Sequence, residues 1–272
     1  MKKITYIVLG LMLVGFSSCY KKDNWDAPDA RIYGNVIDFY TQKPLQTSQN
    51  DWSIRIWERS WTESTPINQS IPVKQDGSYN NNKLFAGNYD MLPFGGAFWP
   101  TTDTAKNVAF TSGGTQKDFT VTPYLQVVDL TTSLSGTNLT LTCRLKAPKR
   151  VGLPNIVEVK PYLSLTEFVG ESNYINIAEY NNRRIQINKS WIDENGDVET
   201  SKLYTIGPLP VKAGYTYNVR IGANVNDANR KYNYSEIKKV EVNFKVRPGS
   251  EKIRRRKKRR RRRRITGIFN EI

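Results

Sequence analysis

Arg55, Trp57, Arg59 and Trp61 have the types and spacing for recognition chemistry. Successive side chains of a β-strand point to opposite faces. A strand from Trp52 to Trp61 therefore puts Trp52, Ile54 and Ile56 on one side and Ser53, Arg55, Trp57, Arg59 and Trp61 on the other. The first set reads as core. The second is a row of indoles separated by guanidinium groups; flat aromatic faces stack on sugar rings, and the guanidinium fork donates hydrogen bonds in a fixed geometry. Trp99, in the loop beyond Gly95 and Gly96, offers a third platform. These five residues are the candidate ligand-binding set. Alternation establishes facing rather than exposure, so the same row is also suited to contact a second domain.

Other chemistry is narrowed by what the chain lacks. It has no histidine, which removes Ser-His-Asp and Cys-His catalysis and every His-ligated zinc or iron site. Asp193, Asn195, Asp197 and Glu199 have the alternating oxygens of a calcium loop, but Gly196 is at the fourth position, Val198 stands where the sharp-turn glycine belongs, and Tyr204 replaces the bidentate glutamate. Asn195-Gly196 reads better as a two-residue hairpin turn between Trp191-Ile192 and Val198. No two carboxylates are set apart as a glycoside-hydrolysing pair. No catalytic residue, cofactor or metal site is expected.

The elements that must position the row are strands. Ile32, Gly34 and Val36 alternate with Tyr33 and Asn35. Asp76-Gly77 between apolar positions predicts a hairpin, and Leu84 to Leu92 reads as one strand with Phe85, Gly87, Tyr89 and Met91 on a face. Short strands are predicted at Val108 to Phe110 and Phe119 to Val121. Pro123 reads as a hinge, because it cannot donate into a central strand and the pattern restarts after it. Leu139, Leu141, Cys143 and Leu145 form a core-facing row, which makes Cys143 a buried, inert thiol. Val157 with Val159, Ile175 with Ile177, and Ile185 with Ile187 predict further strands. The longest alternation runs from Tyr215 to Val225, and Val240 to Val246 is the last. The expected fold is all-β, two β-sandwich domains in tandem.

The ends carry an address and a charge block. Lys2 and Lys3, the apolar run Ile7 to Phe16 and the small pair Ser17-Ser18 have the parts of a secretory signal peptide, with an apolar run too short to span a bilayer. Cys19 follows directly, the position that bacterial lipoprotein processing modifies with lipid. The expected organisation is a signal peptide at 1–18, a lipid-anchored tether at 19–29, sandwiches at 30–121 and 122–246, and a disordered basic tail at 247–272. The formal charge is +16. From Arg247 onward 13 basic residues face two acids, Glu251 and Glu271, so most of that charge lies in the tail and the domains are near neutral. For an exported lipoprotein, nucleic acid is not expected as a partner despite the tail.

Three resemblances follow. I-Y-G-N-V-I-D-F-Y-T-Q-K-P-L at Ile32 to Leu45, D-G-S-Y at Asp76 to Tyr79 and L-F-A-G-N-Y-D-M at Leu84 to Met91 resemble the carboxypeptidase-regulatory-like, transthyretin-like sandwich. A-G-Y-T-Y-N-V-R-I-G-A at Ala213 to Ala223 resembles the fibronectin type III or immunoglobulin-like strand that carries a tyrosine corner, with Tyr217 at the corner. With C-Y-K-K-D-N-W-D-A-P-D-A-R-I at Cys19 to Ile32 and K-Y-N-Y-S at Lys231 to Ser235, the chain resembles an uncharacterised family of two-domain Bacteroidota lipoproteins encoded beside SusC-type porins and SusD-type glycan binders. That resemblance implies a non-catalytic outer-membrane accessory of glycan or nutrient uptake, either binding carbohydrate itself or serving as a scaffold docked to SusC/SusD-type partners. Asp23 and Asp26 after the cysteine point to the cell exterior by analogy with surface-export signals.

Overall fold

The computed structural model describes residues 27–60, 64–101 and 104–244. Cys19, Trp61, the signal segment and the basic tail lie outside the described residues. The described chain is almost entirely β, arranged as two sandwiches in tandem.

The first sandwich is built around β1 (Ala30–Asp38) and β2 (Ser53–Glu58). In one sheet β1 pairs antiparallel with β4 (Ser78–Leu84) and parallel with two short strands, β7 (Thr115–Gln116) and β8 (Phe119–Val121). The other has the order β3 (Gln69–Pro72), β2, β5 (Gly87–Phe94), β6 (Ala105–Phe110). Alternation decides what meets between them: Ile32 and Val36 of β1 and Ile54 and Ile56 of β2 are fully buried in one core with Trp52, Tyr79 and Met91. Each such aliphatic side chain contributes about 1.5–3 kcal/mol of burial free energy.

The second sandwich pairs β13 (Tyr204–Pro210), β10 (Asn138–Lys146) and β9 (Gln126–Ser135) in one sheet. The facing sheet has β12 (Ile185–Lys189), β11 (Ile156–Ser164) and β14 (Thr216–Val225), with β15 (Tyr232–Tyr234) and β16 (Lys238–Glu241) both on the far edge of β14. Leu139, Leu141, Cys143 and Leu145 face Val219, Ile221 and Ala223 across the core. The Tyr217 hydroxyl accepts the Lys212 amide at 3.0 Å, the corner contact that pins the chain entering β14.

Several local expectations are corrected. The Asp76-Gly77 turn does not join a hairpin, since β3 and β4 belong to different sheets and the turn carries the chain across the sandwich. Leu84 to Leu92 is two strands broken at Phe85, which is exposed because the chain changes sheets there. A bulge between Ile156 and Glu158 puts Ile156 and Val159 in the core and leaves Val157 half-buried. Ile175 and Ile177 form no strand and instead lead into the one-turn helix α1 (Ala178–Asn181). Asn195-Gly196 closes a second short helix, α2 (Trp191–Asn195), rather than a hairpin; the Ser190 hydroxyl caps it by accepting the Asp193 amide at 3.1 Å. Pro123 bridges Phe98, and Trp99 N donates to Thr122 O at 2.8 Å beside it, so the junction is tied rather than a free hinge.

Candidate functional site

The outer face of the β3-β2-β5-β6 sheet carries the predicted row. Arg55 and Trp57 lie on the side of β2 opposite the core, both half-buried. Residues directly opposite across an antiparallel pair share a face, so the pairings Ser53 with Phe94, Arg55 with Leu92 and Trp57 with Asp90 define one surface. The Arg55 guanidinium lies over the Phe94 ring, 3.3 Å from its centroid, and Phe94 itself is exposed. This fixes the long arginine side chain flat against an aromatic face instead of leaving it to sample solvent.

Below Trp57 the face is anchored by one buried carboxylate. Asp90 Oδ2 accepts from Arg59 Nε at 2.8 Å and from Lys106 Nζ at 3.0 Å, while Oδ1 accepts the Asn107 amide at 3.1 Å. A bulge in β6 makes this possible: between the pairs Tyr89–Val108 and Met91–Ala105, Lys106 and Asn107 both oppose Asp90, with Asn107 in the left-handed region. Burial by itself raises a carboxyl pKa, but the bonds from Lys106, Asn107 and Arg59 outweigh it and hold Asp90 below the usual carboxylate range. Arg59 is therefore committed to an ion pair, and Arg55, Trp57, Leu92 and Phe94 are the groups presented outward.

Trp99 does not join this face. It packs on Tyr124 with ring centroids 5.3 Å apart, under the Lys149 ammonium 4.2 Å away and against the core of the second sandwich. Trp99 follows the Phe94 end of β5, whereas Trp57 sits towards the far end of β2. It is a joint residue between the sandwiches. Leu92, Phe94 and Asp90 were missed by sequence reasoning. The available signal was Asp90 itself, an acid set between Tyr89 and Met91 where the strand pattern offers no turn to hold it.

A second polar and aromatic assembly covers the outer face of β11 and β14. Tyr232 donates to Glu158 at 2.5 Å, Tyr162 donates to Glu171 at 2.6 Å, and Lys160 bonds the same Glu171 oxygen at 3.1 Å. Burial, reinforced by facing Glu158, pushes the Tyr232 phenol up, and burial with neighbouring Tyr234, Tyr232 and Glu171 does the same for Tyr162. Both phenols stay protonated and donate, which commits these carboxylates to structural bonds. Beside them Arg220 is fully buried, 3.9 Å from the Tyr234 ring, and donates across the seam to Thr47 O at 2.6 Å.

Two family models cover the chain: the N-terminal domain of a protein of unknown function (DUF3823) at residues 30–122, and a domain of unknown function (DUF3823_C) at residues 125–239. A candidate carbohydrate binding protein from Bacteroides uniformis is 23% identical with a TM-score of 0.62, covering 79% of this chain and 99% of that one. A DUF3823 family protein from Bacteroides uniformis is 21% identical, with a TM-score of 0.61, covering 79% of this chain and 100% of that one. Another from Parabacteroides merdae is 20% identical with a TM-score of 0.60 over 79% and 100% of the two chains. These likenesses show a shared fold. No curated protein matches. The chain belongs to the DUF3823 family and carries both of its domains in order.

Proposed function

We propose that this protein is a lipid-anchored, non-catalytic outer-membrane accessory that captures carbohydrate for a SusC/SusD-type uptake system, with the outer face of β2 and β5 as its binding surface. The observation that carries the reading is the outward row itself: Trp57, Leu92 and Phe94 form an apolar and aromatic strip, and Arg55 is held flat across it. Sugars present alternating apolar ring faces and hydroxyls, which such a strip matches with stacking and guanidinium donors. Among the described residues, the hydrogen bonds and ring contacts of Arg55, Trp57 and Arg59 stay within the first sandwich. The carbohydrate-binding description of the similar Bacteroides uniformis protein supports the same class of ligand. Lipid attachment at Cys19 rests on the signal pattern.

Retention of the purified chain on immobilised polysaccharides tests this. Trp57→Ala is expected to weaken retention about tenfold, the loss of one stacked ring, with thermal stability within about 1 kcal/mol of the parent. Unchanged retention, with loss instead of co-purification with a SusC- or SusD-type partner, would identify a scaffold that uses this face for docking.

A further inference from the structure

A cleft of about 540 Å³ opens between the two sandwiches, away from the β2–β5 face. Its walls come from the end of β1 and the loop after it, from the start of β9, and from the segment after β15. That size is within the range of small-ligand pockets, and domain interfaces are where such pockets concentrate. On its floor the polar side chains of Asp38 and Asn233 are hydrogen-bonded. Asp38 is buried and accepts Gln126 Nε2 at 2.6 Å across the seam and the Tyr40 amide at 2.8 Å; Asn233, also buried, bonds the Leu125 amide at 3.0 Å and Ala97 O at 2.8 Å.

The walls differ from the floor. Lys43, Asp129, Glu236 and Lys238 line the cleft, and among the described residues none makes an ion pair within 4.0 Å. With Asp38 spent on structural bonds, two cationic and two anionic groups remain, and these balance. A singly charged ligand gains nothing net from such a set, whereas a neutral ligand rich in hydroxyls finds both donors and acceptors. Between Asp38 and Thr41, which both line the cleft, Phe39 and Tyr40 are 56% and 47% exposed and stand edge to face with centroids 5.2 Å apart. Exposed paired aromatics beside a polar cleft suit sugar rings.

One backbone feature points the same way. Asp129 has φ +55 at a bulge where β9 passes β10, between the pairs Thr142–Thr131 and Arg144–Val128. Glycine takes the left-handed region at no steric cost, whereas an aspartate there carries a modest conformational penalty. Asp129 is exposed at this bulge and is one of the residues that line the cleft.

We propose that this cleft is a second carbohydrate site, taking a neutral oligosaccharide with Tyr40 and Phe39 stacking beside it and Asp129, Glu236, Lys43 and Lys238 bonding hydroxyls. The ligand class rests on the carbohydrate reading above, while the site rests on its own geometry. The test uses the full chain on immobilised galactomannan, arabinoxylan and glycogen, with polygalacturonate as the acidic control at high salt. Tyr40→Ala and Asp129→Gly are each expected to lower retention on one neutral polymer about tenfold, and Asp129→Gly to do so without lowering the melting midpoint. Retention by both variants equal to the parent's, with loss on Trp57→Ala, overturns the cleft and leaves the β2–β5 face. Loss on Tyr40→Ala and Asp129→Gly with none on Trp57→Ala supports the cleft and overturns that face. A parent chain held only by polygalacturonate, or by none of the polymers, overturns both.

Discussion

Asp90 shows how one side chain sets the geometry of a face. Its folded carboxyl titrates below the unfolded one because Lys106, Asn107 and Arg59 all donate to the ionised form. The stability this supplies is complete above the unfolded aspartate pKa and is lost as pH falls through the lower folded value. Denaturation midpoints followed from about pH 5 down to about pH 2 are expected to fall more steeply for the parent than for Asp90→Asn; parallel curves would remove Asp90 from the account. Cys143 gives a second test. Burial pushes its thiol up to about 12, so it carries almost no thiolate at neutral pH. A thiol reagent is expected to leave native Cys143 unmodified and to react promptly in denaturant. Cys143 was readable in the sequence because the leucines at alternate positions place it inward. Trp99 was not, because loop residues have no period, and only the tertiary fold shows it wedged between Tyr124 and Lys149.

At the scale of elements, alternation is informative where one face of a strand meets solvent. Ile54 and Ile56 inward and Arg55 and Trp57 outward follow from it directly. It fails where both faces are covered. Along β14, Asn218, Arg220 and Asn224 alternate with core residues as if they were solvent-facing, yet all three are buried. Polar residues on a strand look the same in sequence whether water or another domain covers them. The parallel pairings of β7 and β8 with β1 were equally hidden: Phe119 to Val121 was predicted as a strand, but so few residues do not say which strand they join or in which direction. Arg220 is where this matters energetically: burial lowers its guanidinium to about 10, still cationic at neutral pH, and Nε and Nη1 lack partners among the described residues. Arg220→Ala is expected to cost about 3 kcal/mol through the cavity and the stranded Thr47 carbonyl. Arg220→Met, which fills the space but donates nothing to Thr47, is expected to cost about 1–2 kcal/mol, less than Arg220→Ala. Urea unfolding of both variants checks this, and equal losses would mean that the lost guanidinium and its bond to Thr47, not the cavity, set the cost.

In the whole molecule the two sandwiches are joined by a polar seam. Arg220 reaches Thr47, Ser48 and Ser172 share a bond of 2.7 Å, Lys231 pairs with Asp51 at 2.9 Å, and Gln75 accepts the Val169 amide at 3.0 Å. Gly170 is needed at this seam: a Cβ there would lie 2.4 Å from Arg220 Nη2 and 2.7 Å from Ser48 Oγ. The tandem organisation was legible from the restart of strand pattern after Pro123, but the seam was not, because its partners are separated by more than ninety residues and carry no shared motif. Such a joint ties the first sandwich, which carries the β2–β5 face, to the second, which supplies part of the interdomain cleft. The most direct test of carbohydrate capture is an amide-resolved NMR titration with an oligosaccharide cut from a polymer that retains the protein. Saturable shifts are expected at Arg55, Trp57, Leu92 and Phe94; saturable binding that leaves those four amides unmoved would exclude the β2–β5 face as the binding surface.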